Sequence, residues 1–120
     1  MITYIGFSTQ THKPIAKFVC HKFKHCAPVI IDKNNVKIYQ FTKYRNVNII
    51  EIKLRDIKIL KRYGWIFIKY KNNKKTPKYK QIHAITCVHF TKQFFNIHKI
   101  SIQTPDALLK HLKKDQFLSS

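Results

Sequence analysis

The stretch "HCAPVIIDKNNVKIYQFT", His25 to Thr42, decides how this chain reads. An apolar, β-branched run ends in the turn cluster Asp32-Lys33-Asn34-Asn35, and a second strand-like segment starts at once. Working outward, "VNIIEIKL" (Val47 to Leu54) and "GWIFIKY" (Gly64 to Tyr70) repeat the strand signature, which gives an antiparallel meander of about four strands. On the other side "ITYIGFS", Ile2 to Ser8, reads as a strand that leads into a short helix in "KPIAKFVCHKF", Lys13 to Phe23. There Pro14 suits a first turn, and Ile15, Phe18, Val19 and Cys20 fall near helical spacing. "KNNKKTPKYK", Lys71 to Lys80, is an exposed loop by composition. Helix resumes over residues 84–97, where Ile85, Val88, Phe94, Phe95 and Ile97 recur at mostly helical intervals. It returns in "TPDALLKHLKK", with Thr104 as cap and Pro105 at the first position. The expected fold class is α+β, with a small antiparallel sheet packed against the Cys87 helix and a further helix near each terminus, all in a single domain spanning residues 1–120.

Composition bounds the function classes. With 44% hydrophobic residues, nine Phe, six Tyr and one Trp, the 120-residue chain can build one core. No apolar run reaches the roughly 18 to 20 residues that span a bilayer, and "MITYIGFSTQT" lacks a basic n-region and a cleavage site. A cytoplasmic location, in the producing or host cell, is therefore expected. Three cysteines cannot close a disulfide framework, so they are read as thiols. The net charge of +19 would attract nucleic acid or an anionic membrane. However, 21 of the 24 basic residues are Lys and only 3 are Arg, and Ile occurs 18 times, which is the bias of an AT-rich coding sequence. Specific phosphate readers lean on Arg forks. The charge is thus expected to be diffuse and its nucleic-acid or membrane contacts weak and non-specific.

Two segments carry the titratable and nucleophilic side chains. "CHKFKHC" groups Cys20, His21, His25 and Cys26, and "HAITCVH" groups His83, Cys87 and His89. Zinc would accept these ligand types, but structural zinc sites use two separate knuckles and the first cluster has only one. No metal and no cofactor is expected, and Cys20 and Cys26 read as small buried hydrophobes. A thiol nucleophile needs a helix N-terminus, where the dipole and unsatisfied N–H groups favour a thiolate and an oxyanion. Cys87 has that position. Its general base would come from elsewhere in the chain, and His25, opening a strand, is rigidly placed for it. His83 and His89 compete, although both share the local element of Cys87, and residues two apart on a helix point in different directions.

At these residues the chain resembles the circularly permuted branch of the NlpC/P60 papain-like cysteine hydrolase superfamily, in which the histidine strand precedes the cysteine helix. "FKHCAPVIIDKNN" is similar to the family's histidine strand and polar turn, and "TCVHFTKQFFNI" with "TPDALLKHL" to its nucleophile and closing helices, in forms found among phage and bacterial proteins of unassigned substrate. "GFSTQTHKPIAKFVCHKF" resembles the usual opening. The segment around Cys87 is also distantly similar to lecithin:retinol acyltransferase-like proteins, with Thr86 in place of Asn and Val88 in place of Glu. The resemblance implies a papain-like permuted fold in which Cys87 is the nucleophile and His25 its base. It also implies a third, orienting group on the strand after the turn. If the turn centres on Lys33 and Asn34, His25 faces Thr42 and period two puts Gln40 on the same face, so Gln40 is the candidate.

The expected activity is thiol-dependent hydrolysis or acyl transfer at an amide or ester carbonyl, with a peptide, isopeptide or lipid acyl group as substrate. The alternative is a non-catalytic basic module on the same scaffold that binds nucleic acid or anionic membrane.

Overall fold

The computed structural model describes residues 2–9, 25–42, 46–70, 86–95, 97 and 102–119, with side chains to residue 113 in the last segment. The quoted stretch forms the expected hairpin of β2 (His25–Asp32) and β3 (Asn35–Phe41). Asp32 pairs with Asn35 and Val29 with Ile38, so the turn is Lys33-Asn34, as the sequence suggests. Lys33 takes φ 57, in the left-handed region that a side-chain-bearing residue adopts at a cost of about 1 kcal/mol. The chain returns through the pair of Thr42 N–H and Asn46 carbonyl into β4 (Val47–Lys53).

β1 (Ile2–Ser8) pairs antiparallel with β2 on the other side, from Ile2 opposite Ile31 to Ser8 opposite His25. β5 (Ile66–Lys69) then pairs with β1, giving an antiparallel sheet in the order β4-β3-β2-β1-β5. The uninterrupted meander expected from the sequence therefore needs correction, because it stops at β4. Two antiparallel steps separate β4 from β2, and two separate β5 from β2, so β4 and β5 run in the same direction. A tight turn cannot join them.

The connection is a 3₁₀ turn, Leu54–Asp56, followed by the short helix α1 (Ile57–Arg62), which sequence reasoning passed over among its lysines. Ile57 and Leu60 point it onto the sheet face built by Ala27, Val29, Val36 and Ile38. Its end is a Schellman motif. The Gly64 N–H bonds the Lys61 carbonyl at 3.2 Å and the Trp65 N–H the Leu60 carbonyl at 3.1 Å, with Gly64 at φ 94. Trp65 then lies over β1. A methyl group on Gly6 would come within 2.9 Å of the Trp65 ring, so glycine is what permits this approach.

The opposite sheet face meets two helices, α2 (Cys87–Phe94) and α3 (Pro105–Ser119). Ile5, Phe7, Cys26, Ile30, Tyr39 and Phe41 join Val88, Phe90, Phe94, Leu108 and Leu112 in one buried cluster. Phe41 stacks on Phe90 at 5.7 Å between ring centres, and Tyr39 tilts against Phe94 at 5.2 Å. Thr104 caps α3 as expected, its hydroxyl accepting from the Ala107 N–H at 3.2 Å. Buried Lys92 gives its Nζ to the Ile102 carbonyl at 2.9 Å and so ties α2 to the start of α3. The fold is α+β, with five strands and three α-helices among the described residues. No helix among the described residues is long and apolar enough to cross a membrane. The helix expected over Lys13 to Phe23 and the loop Lys71 to Lys80 lie outside the described residues.

Candidate active site

Cys87 is the first residue of α2, a sharper placement than the helix start near Ala84 read from the periodicity. Thr86 sets it. With extended backbone at φ −129 and ψ 165, its hydroxyl accepts from the His89 N–H at 3.1 Å, satisfying one of the amides that a helix start leaves open. The Cys87 side chain, 8% exposed, turns inward with Val88, Phe90 and Thr91 rather than to open solvent.

There it meets two consecutive residues of β2. The Cys87 thiol is held well below its ordinary range, first by a hydrogen bond from the Cys26 side chain, then by a hydrogen bond and the positive charge of His25, and last by the Cys26 N–H. Burial opposes these effects and is outweighed. His25 and Cys26 can both reach one sulfur because they open the strand. By alternation Cys26 belongs to the α2 face, whereas the His25 ring lies edge-on to Trp65 of the α1 face, at 6.1 Å and 85°. The Cys87–His25 pair thus straddles the end of the sheet. The Schellman turn after α1, by delivering Trp65, braces the imidazole.

Comparison with protein-family models, curated proteins and solved structures finds no match to this chain.

Other sequence candidates fall elsewhere. His89 is committed within α2, its ring Nε2 in contact with the Gln93 amide one turn on. Gln40 is half-buried on β3 opposite Asn48 of β4. The observed β2–β3 register, continued, does set His25 opposite Thr42, on whose face Gln40 lies, but the ladder between these strands is formed only from Val29 onward. The His25 Nε2 is buried and takes no hydrogen bond from Gln40 or any other described residue. Cys20, His21 and His83 lie outside the described residues, and no metal-holding group of three or more His, Cys, Asp or Glu occurs among those described.

Sequence reasoning missed Cys26 and Thr91. Thr91 is fully buried, donates its hydroxyl to the Cys87 carbonyl at 2.8 Å and sits 3.6 Å from the Cys26 sulfur. A signal was present, since Thr91 is a polar residue four positions after Cys87 on a helix face otherwise made of Val88, Phe90 and Phe94. A buried hydroxyl at that place needs polar neighbours.

Proposed function

We propose that the protein is a thiol-dependent hydrolase or acyltransferase with a papain-like permuted arrangement, in which Cys87 is the nucleophile and His25 the general base. The observation that carries this reading is a helix-start thiol, capped by Thr86, whose pKa is lowered by the cysteine and histidine that open β2.

His25 takes the thiol proton and the Cys87 sulfur attacks an amide or ester carbonyl, forming a C–S bond. The carbonyl oxygen gains negative charge near the Cys87 N–H, which helix geometry leaves without an intrahelical acceptor. Collapse breaks the C–N or C–O bond as His25 returns the proton to the leaving group. Water then attacks the thioester, forming a C–O bond and giving its proton to His25, as the C–S bond breaks and the thiolate is restored. A peptide, isopeptide or lipid acyl group fits this chemistry. Gln40 lies on the strand face where an orienting group would stand, but His25 Nε2 takes no hydrogen bond from it, so the orienting role is not assigned to it. An amide there would fix the imidazole tautomer without stabilising imidazolium as a carboxylate would.

An activated acyl ester such as p-nitrophenyl acetate tests the reading. We expect an acyl-enzyme at Cys87, seen by mass spectrometry of the intact chain, that is lost in Cys87→Ala and strongly slowed in His25→Ala. Acylation spread equally over the three cysteines would remove its basis.

A second reading is favoured by a different feature. Lys53, Arg55, Lys58, Lys61 and Arg62 are all exposed along the crossover between β4 and β5. On this reading the scaffold is a basic module that binds nucleic acid or anionic membrane. Binding that collapses with salt and is unchanged by Cys87→Ala, in a protein without acylation, would select it.

A further inference from the structure

Cys26 and Cys87 are the two cysteines among the described residues, and both are buried thiols rather than halves of a disulfide. They face each other across the contact between β2 and α2, and Thr91 fixes that contact. The Thr91 hydroxyl has one hydrogen and gives it to the Cys87 carbonyl at 2.8 Å. The Cys26 sulfur lies 3.6 Å from the same hydroxyl, which docks it on the turn of α2 that Cys87 opens. One turn back along α2, the Cys26 thiol and N–H also hold the Cys87 thiol below its ordinary range. Through Thr91, the Cys26 thiol is held against the turn of α2 that begins with Cys87.

We propose that Cys26 and Cys87 are an oxidisable dithiol, in which Cys26 captures peroxide-oxidised Cys87 as a disulfide across the β2–α2 contact. The Cys87 thiolate attacks one peroxide oxygen. An S–O bond forms, the O–O bond breaks, and after protonation the products are a sulfenic acid and water. The Cys26 sulfur then attacks the sulfenic sulfur, the S–S bond forms and the S–O bond breaks, and the hydroxyl leaves as water with the Cys26 proton. Two thiols lose two electrons in total, and hydrogen peroxide, the oxidant, becomes two waters. The disulfide removes the thiolate from chemistry and keeps Cys87 from the irreversible sulfinic state until a reducing thiol restores it. This inference rests on the docking of the Cys26 thiol, through Thr91, on the turn that Cys87 opens, and does not require Cys87 to be a hydrolytic nucleophile.

The test treats the native chain with hydrogen peroxide, blocks remaining thiols with iodoacetamide under denaturing conditions, and digests with trypsin. The expected product joins the peptide His25–Lys33 to the peptide Gln81–Lys92, and dithiothreitol separates them. Cys87 alkylation is expected to be lost on oxidation and restored by dithiothreitol in wild type and in Cys20→Ser. In Cys26→Ser the loss is expected to become permanent. Cys87 recovered as sulfinic acid beside an alkylated Cys26 in the native chain, or joined to Cys20 instead, would overturn the proposal. Because the peptide link is read in the wild-type chain, a Cys26→Ser variant that failed to fold would leave the test intact. A link without any acyl-enzyme would sink the hydrolase reading and leave the dithiol standing, and acylation without a link would do the reverse.

Discussion

The two faces of the sheet are finished differently. On one, α2 and α3 close over aromatic side chains, and Phe7, Phe90 and Phe94 are at most 1% exposed. On the other, the described cover is α1, which places Ile57 and Leu60 inward but leaves Ile59 at 50% and Tyr63 at 64% exposure among exposed basic residues. A thickly packed face can hold a thiolate where solvent cannot rearrange around it, and its hydrogen bonds there set the ionisation. The thin face serves the site through one side chain, Trp65.

The largest expected effect separates the faces directly. Phe90→Ala or Phe94→Ala should cost about 3 to 5 kcal/mol by chemical denaturation, since each empties a fully enclosed site, whereas Ile59→Ala should stay within about 0.5 kcal/mol. Similar losses for Phe90 and Ile59 would mean that the two faces are equally packed.

Gly64 sharpens the comparison, because it links the thin face to the site. Gly64→Ala puts a side chain at φ 94 and within 2.7 Å of the Thr9 hydroxyl, so a loss of about 1 to 3 kcal/mol is expected. A shift in Trp65 fluorescence should accompany it. If the tryptophan signal did not move, the Schellman turn would not be what positions that ring.

The same comparison explains what was legible in the sequence. The β2–β3 hairpin was, because Asp32-Lys33-Asn34-Asn35 permits one short turn and the register follows from it. Thr104 and Pro105 announced α3 by local capping chemistry. The neighbour of β5 was not legible. Choosing β1 over β4 depends on strand direction and on a helix too short to show more than Ile57 and Leu60 as periodicity. Cys87 and His25 could be named from their places at a helix start and a strand start. Cys26 could not, because the strand pattern makes it a core residue, which it is, and only the docking of α2 puts a second sulfur beside it.

A small effect of opposite sign is expected at the hairpin. Lys33→Gly relieves a left-handed backbone and should be neutral to stabilising by up to about 1 kcal/mol, after offsetting the entropy that glycine adds to the unfolded chain. A clear destabilisation by thermal melting would show that the Lys33 side chain contributes something its exposed position does not suggest.

The central claim is that Cys87 is ionised by its neighbours, and the pH profile of thiol alkylation measures this most directly. The thiolate is the reacting form, so a lowered pKa raises the reactive fraction at neutral pH. Iodoacetamide should label Cys87 ahead of Cys20 and Cys26 in the native protein, with an inflection below the ordinary thiol value of about 8.5. His25→Ala removes a hydrogen bond and a positive charge while burial, which pushes the thiol up, remains. The inflection should therefore move to higher pH and the rate at pH 7 should fall. A Cys87 inflection at or above the ordinary value, or one unmoved by His25→Ala in a folded protein, would contradict the account.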